Sequence, residues 1–380
     1  MIYLDHNAGG PLLPEVAARL REAFEPGAPF GNPSSVHQVG RSSRLKLDRA
    51  REQVAGVLGC LPREVVFTGS GSEAAALAVL GTFRARKDRS KTRVVSTSIE
   101  HPCVLGALDQ LASEGAEVVR IAPGADGAVK AADVLAALTP NTLLCSVQWV
   151  NNETGVIQPA PELARECLKR SVIFHSDAVQ AFGRLDATLR EVPAALLSLS
   201  AHKLGGPPGV GVLFNRRGVD VAGLTPGHQE NGRRGGTQSV ALAEAMGLAL
   251  THAHAHRDAT AAHVTALRNR FEAAVKAAIP SVVVNGTAAR VGSTSNLLFP
   301  GRDGEALLIA LDLEGICVST GAACASGSLK PSHVLLAMGR SSAEASGSLR
   351  FSFGSTNTTA EVDAVVATLT RLVMAQEAHR

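Results

Sequence analysis

Short apolar runs alternate with amphipathic stretches from residue 14 to about residue 215. The runs are rich in Val, Leu, Ile and Phe and end in Gly, Pro or polar residues. They predict strands at 64–67, 92–98, 118–121, 143–150, 172–174, 196–199 and 209–214. Between them, helical spacing of apolar positions predicts helices at 14–23, 43–58, 73–82, 101–114, 131–138 and 161–169. Strands that are apolar on both faces and alternate with helices imply an α/β fold with a mostly parallel, helix-flanked sheet. Residues 240–278 keep a helical pattern with no Gly or Pro after Gly247, which predicts one long connecting helix. Strands at 281–285, 295–299 and 349–353 and helices at 304–313 and 360–374 follow, as expected of a smaller α+β domain. The expected division is a large domain over 15–255 and a small one made of 1–14 and 256–380.

Ligands of such sheets sit beyond the carboxyl ends of the strands. His101, Asn152, Asp177 and Lys203 all fall at or just past predicted strand ends. Lys203 follows a buried strand and precedes the turn Leu204-Gly-Gly-Pro-Pro-Gly. A partly desolvated amine loses its proton readily and attacks carbonyls, so this position suits Schiff-base chemistry. Asp177 closes the preceding strand. A lysine for the aldehyde and an acid for the ring nitrogen are the two groups that pyridoxal phosphate needs. Taken singly, each residue also reads as an ordinary surface lysine or a turn aspartate.

Thr68-Gly-Ser-Gly-Ser-Glu-Ala joins a strand to a helix. Its N–H groups, the helix dipole and the Ser72 hydroxyl can hold a phosphate, or the stretch can simply cap a helix. It also fits the loose Gly-x-Gly-x-x-Ala dinucleotide pattern. However, no acid ends the next strand at the spacing ribose needs, and no lysine follows as in a P-loop. His101 precedes Pro102 at a helix start, where an imidazole can stack on a ring and shuttle protons, or only cap. Cys324, in Gly321-Ala-Ala-Cys-Ala-Ser-Gly-Ser, has no core-forming neighbours and is the best candidate for a reactive thiol. Arg350 on an apolar strand needs an anion, either a protein carboxylate or a substrate carboxylate. The turn Asn231-Gly-Arg-Arg-Gly-Gly-Thr237 can bring two cations and a hydroxyl to a phosphate, or be a solvated basic turn. His252, His254, His256 and His263 cluster, but no acid or thiol stands beside them in sequence, so a solvated helix face is expected and no metal site.

Composition narrows the class. A chain of 380 residues with 45% apolar content supports a sizeable core. A net charge of +3 gives no argument for nucleic acid or a membrane surface, and no long uncharged apolar run predicts a span. The start, Met1-Ile-Tyr-Leu-Asp-His, lacks the basic region of a signal peptide. The six cysteines form no Cys-x-x-Cys pair, and reduced thiols in a cytoplasmic protein are expected.

Together these residues resemble the cysteine desulfurases of the NifS/IscS type, within the class V aminotransferase superfamily. The motifs are Tyr3-Leu-Asp-His-Asn, Phe30-Gly-Asn-Pro-Ser-Ser, Val150-Asn-Asn-Glu-Thr-Gly, His175-Ser-Asp-Ala-Val-Gln, Ser200-Ala-His-Lys, Arg233-Arg-Gly-Gly-Thr and Ser319-Thr-Gly-Ala-Ala-Cys-Ala-Ser. The resemblance implies an aspartate-aminotransferase-like fold (fold type I) and a pyridoxal 5′-phosphate cofactor bound to Lys203. It gives Asp177 to the ring nitrogen, Gln180 to the phenolic oxygen and His101 to stacking on the ring. Gly71, Ser72, Ser200 and His202 would hold the phosphate, with Thr237 reaching in from the partner of a homodimer. Asn152 and Arg350 would take the substrate carboxylate.

L-Cysteine would become L-alanine, with the sulfur left as a persulfide on Cys324. A sulfur acceptor such as an iron–sulfur scaffold would then receive it, with Cys324 in transient contact with a cluster at most. A selenocysteine lyase or another class V enzyme is the alternative that the resemblance leaves. Five positions depart from the family pattern: Gly9-Gly10 stand where two threonines are common, Gly205 where a bulkier residue is usual, Pro208 where Lys is usual, and Asn231 where Arg is common.

Overall fold

The computed structural model describes residues 1–28, 30–320 and 330–378. Its strands, in chain order, are β1 (Ile2–Tyr3), β2 (Val65–Thr68), β3 (Arg93–Thr97), β4 (Glu117–Ile121), β5 (Thr142–Ser146) and β6 (Ile173–Asp177). They continue with β7 (Leu196–Ser200), β8 (Gly211–Asn215), β9 (Val283–Val284), β10 (Thr294–Leu298), β11 (Ile316–Cys317) and β12 (Ser348–Ser352).

The central sheet has the order β2–β8–β7–β6–β5–β3–β4. Strands β3 to β7 run parallel, and β8 is antiparallel to both of its neighbours. Every residue of β2, β5, β7 and β8 is buried, as expected for strands covered by helices on both faces. This is the α/β architecture that the alternating pattern predicts. Parallel pairing also turns the carboxyl ends of β3, β5, β6 and β7 to one rim. A polar bridge crosses the sheet interior. His175 on β6 hydrogen-bonds Ser146 Oγ on β5 and Ser198 Oγ on β7, both at 2.8 Å, and burial holds it neutral, its pKa pushed down to about 3.

Three expectations change. The strand expected at 143–150 stops at Ser146, because beyond it only the β6 side is still bonded: Val147 and Trp149 donate to the carbonyls of His175 and Asp177. Val150 bridges Ile157 instead, closing the turn that carries Asn152. The helix expected from 43 begins at Gln38, where the His37 ring accepts from the Gly40 N–H at 3.2 Å. The single helix expected over 240–278 is two, Val240–Ala255 and Arg257–Ala278, with a break at His256 (φ −104°, ψ 6°).

The two segments serve different cores. The first lies against the Gln38–Leu58 helix, so closely that a Cβ on Gly247 would stand 2.5 Å from Gln53 Oε1. The second sends Phe271 into a separate core with Phe351 and Phe353, at ring-centroid distances of 4.7 and 5.6 Å. A straight helix cannot bury faces in both.

Around that second core, β12–β10–β9 form an antiparallel sheet, and β1 pairs in parallel with β11. The chain then leaves β1 and crosses to the larger sheet. Leu4 is buried in the second core, whereas the Gly10 and Leu13 N–H groups donate to the carbonyls of His202 and Gly205. Residues 5–10 therefore form a strap across the rim where the parallel strands end.

Candidate active site

Four sequence candidates meet on this rim. Past β3, the chain turns through Glu100, whose buried carboxyl takes the Thr97 hydroxyl at 2.6 Å and the Gln148 N–H at 3.0 and 3.1 Å. Burial pushes this carboxyl up to about 8. The turn delivers His101 to the N-cap of the Pro102–Ser113 helix, where Nδ1 accepts the Cys103 N–H at 3.2 Å. Burial lowers the His101 pKa; Asp177 opposes the shift, and Lys203 and His333 reinforce it. Asp177 ends β6 and accepts the Val179 N–H at 3.0 Å. Its carboxyl is raised by burial, against the pull of His101 and Lys203.

Lys203 sits in the short turn Ala201–Lys203 after β7. Its Nζ donates to the carbonyls of Asn7 and Ala8, at 2.5 and 2.6 Å. Gln180 Nε2 donates to the same Asn7 carbonyl at 3.0 Å, while Gln180 Oε1 is buried without a partner among the described residues. The turn after Lys203 needs glycine at 205: φ is +78°, and a Cβ would stand 2.6 Å from Leu13 Cγ.

A small cup lies beside them. Ser70 caps the helix starting at Gly71, its Oγ accepting the Glu73 N–H at 3.0 Å. A Cβ on Gly71 would lie 2.9 Å from Ser200 Cβ and 3.0 Å from Val179 Cγ2. Ser200 Oγ in turn shares a 2.8 Å hydrogen bond with His202 Nδ1. The predicted phosphate group of Gly71, Ser72, Ser200 and His202 is thus brought together. The basic turn behaves differently. Arg234 Nε donates to Glu73 Oε1 at 2.9 Å, and Glu73 Oε2 accepts the Gly69 N–H at 2.6 Å. Arg234 is therefore bound to a protein carboxylate. Thr237 is exposed.

Arg350 and Asn152 are also neighbours. Arg350 Nη1 donates to the Asn152 carbonyl at 3.2 Å and Nη2 to Asp5 Oδ1 at 2.7 Å, leaving Nε buried without a partner among the described residues. Of the two anions open to Arg350, a protein carboxylate is present. Cys324 lies outside the described residues, but its flanks reach the same rim. Ser319 exchanges backbone hydrogen bonds with Arg350, the Ser332 hydroxyl binds the Glu153 carboxylate, and His333 Nε2 donates to the Glu100 carbonyl at 2.9 Å. His252 and His256 stack at 4.1 Å, His252 pairs with Glu15, and no group of metal-binding residues occurs among the described residues.

Sequence reasoning overlooked the strap as a builder of the site. Asn7 Nδ2 bonds the Asn152 carbonyl and Thr294 Oγ1, and its Oδ1 takes Arg184 Nη2 at 3.2 Å. Arg184 is half-buried, and desolvation together with Arg350 lowers its pKa to about 10. An arginine between Phe182-Gly and a leucine carried no signal of its own; the strap's signal was the polar run Asp5-His-Asn after a two-residue strand.

A family model, aminotransferase class V, matches residues 2–365. This chain belongs to the class V aminotransferase family. Among its relatives is the IscS-like cysteine desulfurase of Mycobacterium tuberculosis, 41% identical over 380 residues, covering 97% of this chain and 95% of that protein. A solved NifS-like protein superposes with a TM-score of 0.90 at 30% identity, covering 98% of this chain and 99% of that one. The structure of SspA in complex with cysteine gives a TM-score of 0.81 at 31% identity, covering 94% and 100%. No helix among the described residues is long and apolar enough to cross a membrane.

Proposed function

We propose that this class V enzyme is a cysteine desulfurase that uses pyridoxal 5′-phosphate to convert L-cysteine to L-alanine and keeps the sulfur as a persulfide on Cys324. The observation that carries the reading is the convergence of Lys203, Asp177, His101 and Gln180 on one strand-end rim, next to the Gly71–Ser200 cup. The residues fit the coenzyme. Among the described residues, the hydrogen bond given to the half-buried Asp177 carboxyl comes from a backbone amide, and a protonated ring nitrogen would add a directly bonded cation. Gln180 Oε1 is an unused buried acceptor, and the space at Gly71 is closed by any Cβ.

Bound there, the coenzyme supplies a sink for the electrons released when Cα loses its proton. The chain does the rest. Ser72, Ser200 and His202 hold the phosphate, and Arg350 and Asn152 hold the substrate carboxylate. His101, kept neutral by burial, is able to take a proton, as is the Lys203 amine. Cys324 attacks the substrate sulfur: an S–S bond forms, the Cβ–S bond breaks, and the carbon skeleton takes up protons and leaves as alanine.

A homodimer, with Thr237 completing the partner's phosphate cup, accords with exposed Phe30 and Val36, which are 92% and 87% accessible. Ser34 and Gln238 line one groove, so these two segments share a face. The division into 15–255 and 1–14 with 256–380 is supported by the second core, which draws on Leu4 and residues from Val264 onward, while Val291, Val334, Leu335, Met338 and Ala345 pack into the first. A cytoplasmic location suits the free Cys60, Cys103, Cys145, Cys167 and Cys317. The persulfide would pass to a sulfur-acceptor protein, such as an iron–sulfur scaffold or a protein of thio-cofactor assembly.

Incubation with L-cysteine tests the reading. Purified protein should be yellow and release alanine, and Cys324→Ala should keep the colour but lose alanine formation. Colourless protein that rejects added coenzyme overturns the assignment. Turnover of selenocysteine with none of cysteine would instead indicate a selenocysteine lyase.

A further inference from the structure

One thiol stands inside the site with no part in the reaction as described. Cys103 is the second residue of the Pro102–Ser113 helix, and its Sγ lies 2.9 Å from His101 Nδ1. The direction of the Cys103–His101 bond follows from chemistry. His101 Nδ1 already accepts the Cys103 N–H at 3.2 Å, so its lone pair, not a proton, faces this helix turn. Burial pushes the Cys103 thiol up to about 12, so at neutral pH it is an S–H group and the donor. The same burial removes it from the nucleophiles.

We propose that Cys103 is a positioning residue: by giving its thiol proton to Nδ1, beside its own backbone N–H, it adds the second donor that keeps the His101 imidazole as the Nε2–H tautomer. This rests on reading His101 as the residue that faces the coenzyme ring. A fixed tautomer matters for such a residue because only an unprotonated nitrogen accepts a proton. The other groups that act on His101 are Asp177 at the end of β6, Lys203 and His202 in the turn after β7, and His333 beyond the Cys324 stretch. None of these is on the Pro102–Ser113 helix, so the donor from that helix is open to separate test.

Nitrogen-15 NMR of histidine-labelled protein reads the tautomer directly, with and without coenzyme; His101→Gln identifies the signal. The wild type and Cys103→Ser, which keep a donor, should hold the Nε2–H form from about pH 6 to about pH 8. Cys103→Ala and Cys103→Val keep only the backbone N–H as a donor to Nδ1 and should show a detectable Nδ1–H fraction. In both, His101 protonation and the acid limb of kcat/KM should move up by roughly half to one pH unit, the worth of one hydrogen bond to the neutral ring. Unchanged tautomer and acid limb in the Ala and Val variants overturn the proposal. A change in Ala but not in Val overturns it too, since Val fills the space and lacks only the donor. Failure of the wild type to bind coenzyme overturns the reading of the site, while the tautomer in the free protein still decides the role of Cys103.

Discussion

The ε-amine of Lys203 rests on the carbonyl oxygen of Asn7, 2.5 Å away and 196 residues earlier in the chain. Gln180 Nε2 shares that carbonyl, and the Asn7 side chain is bonded to Asn152, Thr294 and Arg184. The amine is thus held by a strap whose own position depends on both cores.

Asn7→Ala should loosen this arrangement. It removes three side-chain hydrogen bonds around a buried residue and should cost about 1–3 kcal/mol of stability, read from the urea midpoint. The backbone carbonyl remains but is no longer anchored, so kcat should fall while the coenzyme still binds. An unchanged kcat would show that Lys203 needs no strap.

Gly71→Ala tests the cup. The new Cβ would press on Ser200 Cβ at 2.9 Å and Val179 Cγ2 at 3.0 Å. Coenzyme affinity, measured by absorbance titration, should drop at least about tenfold, because one lost charge-assisted phosphate contact accounts for that much. Affinity equal to wild type would place the phosphate elsewhere.

Asp5→Asn addresses the Arg350 pair, where the side chains are 4% (Arg350) and 18% (Asp5) exposed. Breaking a buried pair leaves an uncompensated charge, and a loss of about 2–4 kcal/mol is expected. Arg350 is also left free to turn, so KM for cysteine should rise more than kcat falls. If KM and the denaturation midpoint both stay put, the pair contributes nothing to the site.

Glu100→Gln probes pH. The folded carboxyl titrates near 8, raised by burial above its ordinary 4.5. Between these values the folded state binds the extra proton, so the wild type loses stability as pH rises, at up to about 1.4 kcal/mol per unit. His175 works in the opposite sense: held down to about 3, it costs stability as pH falls below the ordinary 6.5. The glutamine variant should flatten the decline from about pH 5 to about pH 8 and leave the acid side unaltered. A parallel decline in both proteins would mean that Glu100 is ionised throughout.

The residue pattern alone determined the alternation of strand and helix, and with it the rim on which His101, Asn152, Asp177 and Lys203 meet. These features are local: a run of Val and Leu needs burial wherever it goes, and parallel strands share one carboxyl end. Tertiary structure decided the antiparallel β8, the break at His256, the pairing of Arg234 with Glu73 and of Arg350 with Asp5, and the strap under Lys203. In each case the sequence allowed several partners at comparable local cost. The choice fell to contacts between residues tens to hundreds of positions apart, which exist only once both cores have formed.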